Sequence, residues 1–196
     1  ENIGDLVTET LAQPVLQDRG SVIVVDNGSH DETGKVALTA GASVVREERL
    51  GYGYACAAGA AAASDYAVVA FLDGDYSSLP SELNNVVDPI LEDRADLVLG
   101  SRVRGGIEKG TMPPHQRFGN WLTSGLMRQL YGVPVTDLGP YRAIRTALLR
   151  DLNMQEMTYG WPTEMMVKSA RRDVRILEIP VSHHARRHGQ SKVSGT

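Results

Sequence analysis

The sequence predicts one α/β domain built on a doubly wound, mostly parallel sheet, and two observations predict it. Short β-branched runs, apolar on both faces, recur at residues 21–26 (SVIVVD), 67–73 (AVVAFLD) and 95–100 (ADLVLG), the pattern of buried parallel strands. Helix-like stretches separate them, and the resulting order β-α-β-α-β packs helices against both faces of a sheet.

Taken in order, residues 2–11 read as a helix. A doubly wound sheet normally supplies a strand just before such a helix, and the sequence stops in a Gly/Ser loop at Thr196. It is therefore expected to be the middle of something longer. Strand 21–26 leads to a helix over 31–40 behind a Ser/Asp cap, and a weaker strand at 44–45 follows Gly41. The Ala-rich stretch 55–63 reads as a helix, strand 67–73 follows, and Pro80 precedes a helix over 81–91. In the second half, Gly105, Gly106, Gly110, Pro113 and Pro114 form a loop before a helix over 117–131. A turn containing Asp137, Gly139 and Pro140 leads to helices over 141–152 and 163–171, then to a strand over 175–181 and the closing basic loop HHARRHGQSK. Trp121, Leu122, Leu126 and Leu130, like Met165 and Met166, read as core-facing residues of their helices.

Composition narrows the class. Of 196 residues, 42% are apolar and 22% charged, an ordinary globular balance far from disordered, collagenous or disulfide-rich chains. The longest apolar stretch, residues 55–63, is well short of a membrane span. The single Cys56 cannot form an internal disulfide, and the polar, acidic opening of the sequence does not read as a signal peptide, so a cytoplasmic setting is expected. The net charge of −4 conceals an asymmetry: residues 1–100 carry 5 Lys/Arg against 17 Asp/Glu, and residues 101–196 carry 15 against 7. Carboxylates concentrate in the first part and cation donors for an anionic ligand in the second.

The strongest local signal is Asp73-Gly74-Asp75, two carboxylates at i and i+2 where an apolar strand ends. Alternation along an extended backbone puts both on one side, and Gly74 lets a ligand approach the chain closely. Two hard oxygen ligands beside an open face suit Mg²⁺ or Mn²⁺ completed by phosphate oxygens and water. A calcium EF-hand would need Gly at Ser78 and Glu at Asn84, so that reading fails. Asp26-Asn27-Gly28-Ser29 ends another strand, at the carboxyl edge where open α/β sheets bind ligands; turn and helix-cap chemistry is the alternative there. Neither Gly28 to Lys35 nor Gly51 to Cys56 satisfies a phosphate-loop or dinucleotide motif. In the basic part, Arg102 follows a strand end, Arg117 opens a helix, and Arg186, Arg187, Ser191 and Lys192 share one glycine-containing loop, a donor set suited to phosphate or diphosphate oxygens. Overall acidity and the lack of interleaved aromatics argue against nucleic acid. His183, His184 and His188 read as individually satisfied or exposed rather than as metal ligands.

Together, VIVVDNGSHDET, FLDGDYSSLPSEL, VLGSR, TDLGPYRAIR and RRHGQSK resemble family 2 glycosyltransferases, nearest to the enzymes that place a sugar on dolichyl or undecaprenyl phosphate. The resemblance spans nearly the whole chain and implies a single nucleotide-diphospho-sugar transferase (GT-A) domain, with residues 1–103 as its nucleotide- and metal-binding part and 104–196 as its acceptor-binding part. It implies that Asp26 contacts the nucleoside, that Asp73 and Asp75 are the metal pair with Gly74 between them, and that Ser77 helps the metal. Arg102 and Arg117 correspond to arginines near the phosphates. Arg186, Ser191 and Lys192 belong to the R-x-x-G-x-S-K loop that closes on donor and acceptor phosphates, and Asp137 lies where related transferases place an acid residue proposed as the base. Two departures stand out: Asn27 replaces the second aspartate of the usual D-D-G-S, and the initial nucleoside-contacting strand is absent from the sequence.

The implied reaction is one in-line displacement at the anomeric carbon, with inversion. A polyprenyl phosphate acceptor arrives ionised and needs no strong base, whereas a hydroxyl acceptor requires a carboxylate such as Asp137 to take its proton. A lipid acceptor, or segments outside this sequence, would bring the protein to the cytoplasmic face of a membrane. The alternatives are a soluble transferase acting on a small phosphorylated acceptor such as phosphoglycerate, a nucleotidyltransferase, and a phospho-acceptor receiver module, whose acidic strand ends would leave the basic half without a role.

Overall fold

The computed structural model describes residues 2–17, 19–108 and 110–187. In chain order they form α1 (Ile3–Leu11), β1 (Ile23–Asp26), α2 (Thr33–Thr39), β2 (Ser43–Arg46), α3 (Tyr52–Ala62), β3 (Val68–Phe71) and α4 (Leu83–Leu91). Then come β4 (Leu97–Ser101), α5 (Arg102–Gly105), α6 (Pro114–Tyr131), β5 (Arg142–Arg145), α7 (Thr146–Leu152), α8 (Trp161–Ala170) and β6 (Ile176–Pro180).

The strands form two sheets. β1 and β2 pair in parallel, with Ile23 opposite Ser43 and Asp26 opposite Arg46. The other sheet has the order β3-β5-β4-β6. β5 runs antiparallel to both β3 and β4, and β6 runs parallel to β4. Three of its strands therefore share one direction and β5 alone opposes them, giving the mostly parallel α/β fold. Strands from both the acidic and the basic part of the sequence build this sheet.

Alternation along the strands decides what each face buries. Leu97, Leu99 and Ile144 join Met127, Leu149, Leu152, Trp161, Met165 and Met166 on one face. Val98 and Ala143 point the other way, onto Leu83, Val86, Val87 and Ile90 of α4. Val7, Ala37 and Ala42 make a separate core that packs α1 and α2 on the β1–β2 sheet. At the end of the large sheet where β4 and β6 begin, Arg145 and Arg175 both pair with Asp96, at 2.9 and 2.8 Å, and Arg175 pairs with Asp93 at 2.7 Å. That clamp leaves the opposite end, where β3 and β4 finish, free for chemistry.

Two expectations are corrected. The helix expected over residues 141–152 begins as the strand β5 and turns helical only at Thr146. Ala and Leu favour a helix locally, but pairing on both edges of Arg142–Arg145 outweighs that propensity. Met165 and Met166 are buried as expected, whereas Trp121, Leu122, Leu126 and Leu130 lie exposed along α6. Helical periodicity marks an apolar face; it does not say whether the domain's own core covers it.

Candidate active site

β3 ends at Phe71, and the chain turns sharply through Asp73, Gly74, Asp75 and Tyr76. Tyr76 sits at φ +63°, a conformation that strains a bulky side chain and that its burial beneath neighbouring groups must sustain. Burial and the neighbouring Asp75 charge push the Asp73 carboxyl up to about 6, against the opposing pull of Arg186, Arg102 and Arg142. Among the described residues no donor hydrogen-bonds Asp73. Asp75 is better satisfied: its Oδ1 accepts the Ser77 N–H at 2.9 Å and its Oδ2 faces Arg186 Nε at 3.0 Å. A Cβ on Gly74 would meet only Ile3 Cδ1, at 3.8 Å, so neighbouring protein does not demand glycine there.

Beside this turn, where β4 gives way to α5, Arg102 grips Asp137. Its Nε and Nη2 each donate to the carboxylate at 2.8 Å, and its backbone N–H adds a third bond at 2.8 Å. Burial works against the guanidinium charge, but the Asp137 hydrogen bonds and charge outweigh it and hold Arg102 above its ordinary value. Asp137 is 0% exposed, and both its oxygens are taken. Gly139 makes room for the fork, since a Cβ would come within 3.1 Å of Arg102 Nε. Glu178 of β6 supports the same turn by accepting the N–H groups of Thr136 and Asp137 at 2.7 and 3.0 Å. Asn120 of α6 closes it from the other side, through the Thr136 carbonyl and the Leu138 N–H.

After β6, residues 181–187 strap these parts together. The Ser182 N–H and hydroxyl donate to Glu82. The His183 N–H reaches the Gly106 carbonyl, the His184 N–H the Ser77 carbonyl, and the Arg187 N–H the Asp75 carbonyl. The Arg187 guanidinium lies 3.6 Å over the Tyr76 ring, a stacked cation that covers the strained residue. Burial, reinforced by the Arg102 charge, lowers the affinity of the His183 ring for a proton.

A half-buried carboxylate with no hydrogen-bond donor among the described residues, a second carboxylate two residues on, and arginines from three other elements form a site for a cation and an anion together. Residues 1–152 match the sequence profile of Glycosyl transferase family 2. The chain belongs to that family. An uncharacterized glycosyltransferase of Mycobacterium tuberculosis is 39% identical to it over 175 residues, covering 89% of this chain and 78% of its own length. A dolichyl-phosphate hexose transferase of Haloferax volcanii is 35% identical over 180 residues, covering 91% and 76%. Among solved structures, glucosyl-3-phosphoglycerate synthase from Mycobacterium tuberculosis, in complex with Mn²⁺, uridine diphosphate and glucosyl-3-phosphoglycerate, superposes with a TM-score of 0.71 at 22% identity. That likeness covers 96% of this chain and 70% of the synthase, and it shows the shared GT-A fold.

In this glycosyltransferase the structure brings Asp73, Asp75, Arg102, Asp137 and Arg186 into one electrostatic cluster. Asp26 stands apart, on the β1–β2 sheet. Its Oδ1 accepts the Ser29 N–H at 2.9 Å, and the Ser29 hydrogen bonds hold it below the usual carboxylate range. Asn27 spends its amide on the loop after β2: Nδ2 donates to the carbonyls of Glu47 and Arg49, and Oδ1 accepts the Gly51 N–H. That loop leads into α3, whose Tyr52 feels the Asp73 charge. Arg117 lies outside the cluster, in a groove of about 630 Å³ that Val103, Ile107, Met112, Arg128 and Thr136 also line. Ser191, Lys192 and His188 fall outside the described residues.

Sequence reasoning missed three supports of this site. Arg142, 1% exposed in β5, donates to the carbonyls of Pro162, Leu138 and Gly139. A charged residue inside the motif TDLGPYRAIR was its only signal. Glu178 was visible as an acid in the otherwise apolar run ILEIP, and Asn120 had no signal beyond its place on α6.

Proposed function

We propose that the protein transfers a sugar from a nucleoside-diphosphate sugar to the phosphate of a polyprenyl phosphate, with inversion at the anomeric carbon. The observation that carries this reading is the Asp73–Asp75 pair, one carboxylate half-buried with no donor among the described residues and the other beside it, with the charges of Arg186, Arg102 and Arg142 acting on Asp73. Two like charges so placed call for a cation, and the donor set suits Mg²⁺ or Mn²⁺. Among the described residues no three His, Cys, Asp or Glu side chains converge on a metal position. Asp73 and Asp75 would therefore hold the ion with diphosphate oxygens and water completing its shell. When bound, the ion neutralises the departing nucleoside diphosphate. The Mn²⁺ and uridine diphosphate of the structurally similar synthase support the same assignment.

The chain's own residues would do the remainder. Asp26 is assigned to the nucleoside, with Asn27 acting indirectly by fixing the 47–51 loop. Exposed Gly74 leaves the turn open to the diphosphate. Arg102 and Arg117, with Arg186, Ser191 and Lys192 of the closing loop, are assigned to donor and acceptor phosphates, where fixed cations stabilise charge that moves during transfer. An acceptor phosphate oxygen attacks the anomeric carbon, the bond to the diphosphate breaks, and the electron pair leaves with the diphosphate. The acceptor is already ionised, so no side chain need take a proton. Asp137, assigned as a base in the sequence, is better suited to positioning, because accepting a proton would mean releasing Arg102.

The dolichyl-phosphate hexose transferase among the relatives supports a lipid-linked acceptor. So does the groove, whose lining combines apolar Val103, Ile107 and Met112 with the cations Arg117 and Arg128. Such an acceptor would place the protein at the cytoplasmic face of a membrane, although no helix of the described residues is long and apolar enough to cross one. Residues 1–103 would then serve donor and metal, and 104–196 the acceptor. The test is transfer from a panel of nucleotide sugars to polyprenyl phosphate and to 3-phosphoglycerate in parallel. Product on the lipid alone supports the reading, and product on phosphoglycerate alone replaces it.

A further inference from the structure

Helix α6 presents to solvent what a globular helix normally hides. Trp121 is 68% exposed, Leu130 65% and Phe118 61%, with Leu122 and Leu126 also exposed. Phe118, Leu122, Leu126 and Leu130 recur every fourth residue and so lie along one side of the helix, and Phe118 meets Trp121 with ring centroids 5.8 Å apart. The helix keeps only a narrow inner contact, through Ser124 and Met127. Val103, at the rim of the same groove, is exposed as well. A contiguous patch of this kind on a folded domain marks an interaction surface.

Its charge identifies the partner. From residue 109 to residue 136 the sequence contains no Asp or Glu, but it contains Lys109, His115, Arg117 and Arg128. Among the described residues neither the Arg117 nor the Arg128 side chain makes an ion pair, and both line the groove on the Trp121 flank of α6. A second copy of this chain would bring like charges together across the seam. An anionic lipid surface matches both features, taking the aromatic and aliphatic side chains into its interfacial zone and the arginines at its phosphates.

We propose that the outward face of α6 docks the protein on an anionic membrane, with Phe118, Trp121, Leu122, Leu126 and Leu130 inserted and Arg128 at the lipid headgroups. The inference deepens the proposed function and rests on its lipid-linked acceptor for its purpose. The groove shares Trp121 with that face and is also lined by Thr136, the residue before Asp137 of the Arg102–Asp137 pair. A lipid phosphate taken from the bilayer would thus enter past Arg117 without its hydrocarbon chain crossing water.

The experiment is cosedimentation of the full-length protein with phosphatidylcholine vesicles, with and without phosphatidylglycerol and free of polyprenyl phosphate. Binding is expected only with the anionic lipid and is expected to weaken with salt. Brominated lipid should quench exposed Trp121 and spare buried Trp161. The variant Leu122→Glu/Leu126→Glu/Leu130→Glu should bind at least about tenfold less, yet transfer sugar to a short water-soluble prenyl phosphate at the unmodified rate, which also shows that it folds. Absent binding by the unmodified protein, or equal binding by the variant, overturns the proposal. Concentration-dependent dimerisation that the variant abolishes would overturn it too, by assigning the face to a second copy. Vesicle binding without transfer to any prenyl phosphate would support the docking face while removing the acceptor reading.

Discussion

Arg102 holds Asp137 through a two-pronged fork and a backbone N–H, each bond 2.8 Å long, around a carboxylate that solvent does not reach. Removing one partner of a buried pair leaves the other charge uncompensated, at a cost of about 3 kcal/mol or more. Asp137→Asn is therefore expected to lower stability by that order. In the folded fraction it should raise the acceptor KM more than it lowers kcat, with an unchanged pH profile. Thermal melts and steady-state kinetics across pH check this. A loss of about a hundredfold or more in kcat, with disappearance of an acidic limb, would make Asp137 a base.

Asp73 predicts an opposite effect on stability. Its carboxyl titrates near 6 in the folded protein and near about 4 in the unfolded chain, so ionisation disfavours the fold. Stability of the metal-free protein should fall as pH rises from about 4 to about 6 and then level off. Asp73→Asn removes that penalty, stabilising the metal-free protein at pH 7 by on the order of 1–3 kcal/mol and having little effect at pH 4. Melts in EDTA and in Mn²⁺ test it: the ion should raise the Tm of the unmodified protein and not that of the variant.

The clamp at the other end of the sheet carries the reverse sign. Hydrogen bonds from Arg175, opposed by burial and reinforced by Arg145, hold Asp96 well below the usual carboxylate range. Its contribution is present above the unfolded pKa of about 4 and is lost as pH falls below it. Asp96→Asn should lower stability by on the order of 1–2 kcal/mol at pH 7, and the difference from the unmodified protein should shrink on acidification, as denaturant melts at several pH values would show.

Asn27→Ala deletes three hydrogen bonds to the 47–51 loop without touching Asp26. We expect a stability loss of about 1–3 kcal/mol and a several-fold higher KM for the nucleotide sugar, with kcat little changed. Titration of the nucleoside diphosphate by calorimetry measures the affinity directly.

Much of this was legible in the sequence because burial and chemistry pointed the same way. The runs ending at Asp26 and Asp73 are apolar on both faces and stop at a carboxylate, so they announce both a strand and a site. β5 was hidden because its four residues, RAIR, carry an arginine at each end. Arg142 is buried by hydrogen bonds to distant carbonyls that no local pattern encodes, and Arg145 is held by Asp96 across the sheet. The α6 stripe showed its period clearly, but periodicity cannot tell a core from a surface awaiting a partner. The Asp137 turn showed the opposite limit: its residues were recognisable, whereas the fork that occupies both oxygens exists only in three dimensions.

The most direct test is a transfer assay with the full-length protein, nucleotide sugar and polyprenyl phosphate, run with Mn²⁺, with EDTA, and with Asp75→Asn. A polyprenyl-phosphate-linked sugar is expected to form only with the divalent ion and to be abolished in the variant, which remains folded. Equal product in EDTA, or full activity in Asp75→Asn, would contradict that expectation.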